Sequence, residues 1–462
     1  MSGSSGIGPL VDLRTKYRGR FWLYPLFVRY ARLIVLTLLV LTVVLAAACS
    51  EPLLSTTTAG GGPGQEPGAP GAGVTGPRPT EPATDSSLPV TTSSTASSSS
   101  TTSTSLSPVA AAVAAMTVQQ KAAQVLLVAF DGASLTDLTR SALSRAAPAG
   151  LLLLGRNVTG ESQLRLLTAS LQEAAGSAGA PGLFIAADQE GGSVMRVKEG
   201  VPKLPSARAL AAGSSPSEAQ ALTEETAAGL LSQGVNMVLA PVADVVTDRD
   251  SFLYSRAYGD EPGVVADFVA AVTRGYAESG IVTVVKHFPG HGSAPGNSHT
   301  AVPVSAATRA DFERVHLPPF EAAIAAGVDG VMMGHLLVPA YDRLHPASES
   351  EAIVNDLLRR HLGFAGLVVT DDLEMAAAAG REGQVGTATA AELGQAAVSA
   401  LAAGCDLLIT TGTLERQLVI EQAIVDAVRT GRLAEERLDE AVARVLSVKV
   451  EHSMPVPGSL AD

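Results

Sequence analysis

Residues 281 to 299 read Ile-Val-Thr-Val-Val-Lys-His-Phe-Pro-Gly-His-Gly-Ser-Ala-Pro-Gly-Asn-Ser-His: a mostly apolar run that breaks into a loop rich in Gly and Pro. A short apolar run bounded by such turn signals fits a strand buried on both faces, as in a parallel sheet. The loop brings Lys286, His287, His291 and His299 together, and loops leaving a rigid strand often carry chemistry. Imidazole is well placed to move protons near neutral pH, and with His335 at another strand end this accounts for half of the eight histidines. An enzyme is therefore the first hypothesis.

Outward from this stretch, short apolar runs alternate with segments of helical periodicity from about residue 110 to 452. Eight runs are expected as strands: Gln124–Phe130, Gly150–Leu154, Leu183–Ala187, Met237–Pro241, Val282–His287, Gly330–Gly334, Gly366–Thr370 and Asp406–Thr410. Helices are expected over Ser217–Ser232, Pro262–Ser279, Arg309–Ala326, Ala390–Ala403, Leu414–Thr430 and Ala434–Val448. Eight strands, most followed by a helix, predict an α/β fold of the (β/α)8 TIM-type barrel, a single catalytic domain over 109–452 with a tail at 453–462. Such a barrel places chemistry at its strand ends. There stand Asp188 and Glu190, Asp244, Lys286 and His287, His335, and Asp371 with Asp372.

The N-terminal part has another character. Residues 1–48 hold six basic groups against Asp12 and end in an uncharged, largely apolar stretch, Leu33–Ala48, the form of a secretory signal. Leu45-Ala46-Ala47-Ala48-Cys49 resembles a bacterial lipobox, with Ala46 where a larger aliphatic residue is usual. Either Cys49 carries a lipid, or the apolar stretch stays as an anchor, although it is slightly short of the roughly 20 residues needed to span. Residues 49–108, dominated by Ser, Thr, Gly, Pro and Ala, lack an apolar period and are expected to be a disordered tether. This predicts a cell-membrane lipoprotein with its domain on the extracytoplasmic side. The whole chain carries −13, so removing the +5 of residues 1–48 leaves −18. Such an acidic domain is a poor partner for nucleic acid. The other cysteine, Cys405, lies in an apolar run and reads as a buried structural thiol.

Several constellations could carry chemistry. In Thr370-Asp371-Asp372-Leu373 a carboxylate directly follows a buried strand, as a covalent nucleophile requires; a helix-capping Asp would look the same. Neighbouring residues of an extended segment point oppositely, so one of the two carboxylates at most is expected to face a pocket. Asp188-Gln189-Glu190-Gly191-Gly192, with Arg196, could bind vicinal hydroxyls or be only a turn. Tyr254–Asp260 holds Arg256 and two aromatics, a ligand clamp or a surface Arg-Asp pairing. His287 and His291 are separated by a Pro-Gly turn and so do not share a helical face, which argues against a metal site. There is no P-loop, no dinucleotide-binding glycine spacing and no Gly-x-Ser-x-Gly, and no cofactor is expected.

Taken together, Asp188-Gln-Glu-Gly-Gly, Lys286-His-Phe-Pro-Gly-His-Gly, Ser298-His299 and Thr370-Asp-Asp-Leu resemble the bacterial β-N-acetylglucosaminidases of glycoside hydrolase family 3. The resemblance spans about residues 115 to 450. It implies a (β/α)8 barrel, a retaining mechanism and release of terminal N-acetylglucosamine from peptidoglycan fragments. It further implies Asp371 as nucleophile, His299 as acid/base, and Asp188, Arg196, Arg256, Lys286 and His287 as sugar-binding residues. Retaining hydrolysis usually employs two carboxylates; many family members take the second from a further domain, in whose absence His299 is the available proton donor. One departure stands out. Relatives with this histidine carry Asp two residues before it, where this chain has Asn297. An amide oxygen can orient the imidazole but adds no charge to stabilise its protonated form. Asn297 thus leaves open a weakly active or inactive muropeptide-binding lipoprotein, and the resemblance also leaves open a family 3 β-glucosidase or a phosphorylase.

Overall fold

The computed structural model describes residues 107–457 except 376, 377, 379 and 381–385. The signal, Cys49 and nearly all of the tether fall outside the described residues. Eight parallel strands close into a barrel: β1 (Leu126–Ala129), β2 (Gly150–Leu153), β3 (Phe184–Ala187), β4 (Met237–Val238), β5 (Val282–Phe288), β6 (Gly330–Met333), β7 (Leu367–Asp372) and β8 (Leu407–Thr410). Each pairs with its neighbours in sequence, and β1 closes on β8 through Leu126↔Leu408 and Val128↔Thr410. Each of the eight predicted runs yields a barrel strand, most of them shorter than the run, as in Met237–Val238. Gln124 instead ends a helix, Val118–Gln124, capped by Thr117.

Both faces of the strands are covered, hence the unbroken apolar runs. Leu127, Leu152, Phe184, Met237, Val284, Met332, Val369 and Leu407 fill the barrel interior. The alternate residues, such as Val128, Leu151, Ile185, Val285 and Val368, pack outward against the helices. Below the interior layer Lys449, fully buried, reaches Gln124 Oε1 at 3.0 Å and lies 5.1 Å from the Phe184 ring centre. At the same end Asp406 receives Arg359, Arg437 and Arg444. Residues expected as a tail also join the barrel: Val456 is 1% exposed and Pro455 accepts a hydrogen bond from Gly182 N–H at 2.7 Å.

Most expected helices form within a residue or three of their predicted bounds, but Arg309–Ala326 does not form one helix. It divides into a turn at Arg309–Asp311, a wide turn at Phe312–His316 and a helix, Pro318–Ala325. Pro318 and Pro319 donate no N–H, and Leu317 N–H bonds back to Phe312, five residues earlier. Two hairpins decorate the barrel mouth, 189–195 and 337–346. No helix among the described residues is long and apolar enough to cross a membrane.

Candidate active site

A cavity of about 290 Å³ opens at the C-terminal ends of the strands, where a barrel gathers its loops. Asp188, Arg196, Arg256, Lys286, His287, His299 and Asp371 all line it. Asn297 stands behind His299, its Oδ1 2.8 Å from His299 Nδ1 and 3.0 Å from the His299 backbone nitrogen. The predicted residues, more than 180 positions apart at the extremes, are therefore brought to one place, except Cys49, which lies outside the described residues.

The floor is an ion-pair network. Lys286 Nζ stands 2.8 Å from Asp188 Oδ1 and 2.6 Å from Glu190 Oε1. Arg196 approaches the second Asp188 oxygen at 3.0 Å, and Arg256 grips Glu190 bidentately at 2.7 and 2.8 Å. Burial alone would raise the Glu190 pKa, but Lys286 and Arg256 outweigh it and hold the carboxyl at about 2. Asp188 likewise falls below its ordinary value, burial being outweighed chiefly by Lys286. Burial opposes the charge on Lys286, yet the two carboxylates raise its pKa and keep it an ammonium. Of the two readings of its loop, Arg256 does not follow the surface Arg-Asp pairing: it pairs with a buried carboxylate 66 positions away. Glu190, absent from the expected sugar-binding set, lies at its centre. The signal was available: Asp188 and Glu190 are two apart in an extended segment and share a face.

Asp244 positions the β5 end. Fully buried, it accepts from His287 N–H at 3.2 Å, lies 2.8 Å from His287 Nδ1, and accepts from Gly292 N–H at 3.1 Å. A Cβ on Gly292 would lie 2.2 Å from Val245 O, so only glycine permits that approach. With Nδ1 engaged by Asp244, His287 has Nε2 left to meet a ligand.

Asp371, the last residue but one of β7, stands beside these groups, its Oδ1 accepting from Asp372 N–H at 2.8 Å. Burial works against its charge, but the His287 and His335 imidazoles, the Asp372 N–H and Lys286 prevail, and its pKa falls below the ordinary value. It is thus an ionised carboxylate at the barrel mouth. His299 sits on the rim. Desolvation, with Arg256 and His287, lowers its pKa below the usual imidazole value despite the attraction of Asp371 and Asp188. Phe252 packs edge-on to His291 and His299, with ring centres 5.3 and 6.2 Å apart. Asp372 also lines the cavity, against the expectation that one of the pair would face it. Among the described residues no group of three or more His, Cys, Asp or Glu could hold a metal ion.

A barrel whose mouth joins an ionised carboxylate, an imidazole and a balanced set of hydrogen-bonding charges has groups that glycoside cleavage can use. Residues 117–448 match the glycosyl hydrolase family 3 N-terminal domain, and the chain belongs to that family: it is a glycoside hydrolase. It is 34% identical over 326 residues to a β-hexosaminidase of Nitrosomonas eutropha, covering 69% of this chain and 90% of that one. Among solved structures it resembles the family 3 β-N-acetylglucosaminidase of Paenibacillus sp. str. FPU-7, with TM-score 0.69 and 35% identity, over 73% of this chain and 63% of that one. It also resembles the β-N-acetylhexosaminidase of Beutenbergia cavernae, with TM-score 0.65 and 30% identity, over 72% of this chain and 99% of that one.

Proposed function

We propose that the chain is a retaining, exo-acting β-N-acetylglucosaminidase that releases terminal N-acetylglucosamine from peptidoglycan fragments. The observation that carries this reading is the convergence of Asp371 and His299 on one cavity with the Asp188, Arg196 and Lys286 group. About 290 Å³ lies at the small end of ligand pockets and suits one sugar ring, as exo action requires. The names of the relatives supply the acetamido sugar.

In the mechanism, Asp188 and Lys286 hold the hydroxyls of the terminal sugar, and His287, oriented by Asp244, offers Nε2 beside them. A carboxylate oxygen of Asp371 attacks the anomeric carbon as His299 donates a proton to the leaving oxygen, giving a glycosyl ester and the shortened glycan. Neutral His299 then takes a proton from water. The hydroxide attacks the anomeric carbon, and Asp371 leaves as carboxylate. A basic, then apolar N-terminus ending at Cys49 supports a lipid-anchored enzyme outside the cytoplasmic membrane.

The test is hydrolysis of an aryl β-N-acetylglucosaminide by the purified domain, with and without phosphate. Free N-acetylglucosamine is expected under both conditions. Sugar 1-phosphate as main product would replace the hydrolase with a phosphorylase, and binding without turnover would leave a muropeptide-binding protein. Mass spectrometry of the mature N-terminus tests the lipid on Cys49.

A further inference from the structure

One wall of the cavity, formed by Asp372 and Thr411, takes no part in that mechanism, and its hydrogen bonding has a direction. Asp372 Oδ1 accepts two backbone N–H groups, Glu374 at 3.1 Å and Thr411 at 3.0 Å. Its Oδ2 meets the Thr411 hydroxyl. If this carboxyl holds a proton, Oδ1 is already engaged by two donors, so the proton belongs on Oδ2 and points at Thr411 Oγ1. The threonine oxygen then accepts, and its own hydrogen must turn elsewhere. Thr411 lines the cavity, so that hydrogen is available to an acceptor on a ligand. If the carboxyl is ionised, it takes the Thr411 hydrogen for itself and the hydroxyl offers only lone pairs.

The surroundings favour the protonated form. Burial, together with neighbouring Asp371, raises the Asp372 pKa to about 7 against the pull of its three donors. The other titratable groups around it are Glu374 in the following turn, Arg416 from the helix Leu414–Arg429, and His335 from the β6 end, which meets the backbone of Asp371 and Asp372. Arg416 is attracted to Asp372 but is paired with Glu374 at 2.6 Å, whose charge opposes it. A carboxylic acid kept neutral near pH 7 so that it can donate a hydrogen bond is a known device of enzyme sites.

Under the β-N-acetylglucosaminidase reading, on which this inference rests, Asp371 bonds to the anomeric carbon. The substituent on the next ring carbon must therefore lie close to the Asp371-Asp372 segment. We propose that Thr411 is a specificity-determining residue, its hydroxyl made a donor by Asp372 toward the amide carbonyl of the 2-acetamido group. Met375, also on the wall, offers an apolar contact for the acetamide methyl. A 2-hydroxyl lacks that carbonyl and gains nothing from the donor.

The readout is the ratio of kcat/KM for 4-nitrophenyl N-acetyl-β-glucosaminide to that for 4-nitrophenyl β-glucoside, measured from pH 5 to 8.5. Protonation of His299 and Asp371 enters both rates alike and cancels in the ratio. Thr411→Val is expected to lower the ratio about tenfold, the scale of one lost hydrogen bond, and Thr411→Ser to restore it. The wild-type ratio is expected to fall as pH rises past about 7. In Asp372→Asn it stays flat, because the carboxamide NH2 donates to Thr411 at every pH. A wild type that prefers the acetamido sugar, with that preference intact in Thr411→Val, overturns this inference alone. A wild type with no such preference overturns the N-acetylglucosaminidase reading and the inference together. Should Thr411→Val fail to fold, an Asp372→Asn ratio that still falls past pH 7 overturns the inference.

Discussion

Asn297→Asp is the most informative single change in this site. Asn297 Oδ1 stands 2.8 Å from His299 Nδ1, so an isosteric carboxylate would meet the imidazole with the same geometry and one added negative charge. For charge centres about 4 Å apart the attraction is about 1 kcal/mol in water and about 4 kcal/mol at an effective dielectric of 20. His299 lies on the solvent-exposed rim and is only partly desolvated, so the lower figure applies. Since about 1.4 kcal/mol corresponds to one pKa unit, the His299 pKa should rise by about 0.7. The sign follows from the proposed role: His299 must be protonated to donate, and its pKa lies below the usual 6.5, so the wild type is expected to lose activity as pH rises through the lowered pKa. Above it the protonated fraction falls tenfold per pH unit, so a shift of about 0.7 should raise kcat/KM at pH 7.5 about fivefold. The assay is the pH profile of kcat/KM on an aryl N-acetylglucosaminide. An Asn297→Asp profile that superimposes on the wild type would refute the assignment of His299 as proton donor.

Further expectations concern the carboxylates and the buried lysine. Asp371→Ala should lower kcat by roughly 10⁴-fold or more, the scale of losing a nucleophile, while the far-ultraviolet circular dichroism stays unchanged; residual turnover within tenfold of wild type would displace Asp371 from that role. Glu190→Gln removes the partner of two buried cations and should cost about 3 to 5 kcal/mol in urea unfolding. The Glu190 pKa is depressed from 4.5 to about 2, so its contribution to stability is present above pH 4.5 and lost as pH falls toward 2. The mutant should accordingly show less acid destabilisation across that window. Lys449→Met should raise the Tm by a few degrees at pH 7. Its folded-state pKa is lowered from 10.5 to about 7, so burial costs stability increasingly as pH falls from 10.5 to 7, and the advantage of the mutant should shrink toward pH 10.

The barrel was legible because its strands are covered on both faces and must read as continuous apolar runs. Val282–Val285 and Val368–Val369 are clear instances. Strand ends were legible for a related reason: a titratable group directly after such a run has a buried backbone behind it and a cavity in front. What the sequence conceals is pairing across distance. Nothing near Arg256 announces Glu190, and nothing near His287 announces Asp244 43 positions earlier. The break at Phe312–His316 was hidden too, because apolar periodicity continues through it while the hydrogen-bond ladder shifts around Pro318 and Pro319.

Charge balance connects these hidden pairs to what the enzyme can bind. Around the floor, Asp188 and Glu190 carry two negative charges against three positive ones on Lys286, Arg196 and Arg256, and ionised Asp371 brings the set to neutrality. A neutral sugar supplies no counter-charge, so a site that must hold it with strong donors and acceptors has to cancel its own field. Each paired charge can still hydrogen-bond a hydroxyl, because a carboxylate has about four acceptor sites and an ammonium three donors. The balance also bears on the rim. Protonated His299 adds a positive charge that Asn297 does not offset, where Asp would. Under the proposed mechanism Asn297 should leave sugar binding intact while making the proton harder to hold, so its effect is expected in the pH dependence of kcat/KM and not in the affinity for N-acetylglucosamine as a product inhibitor.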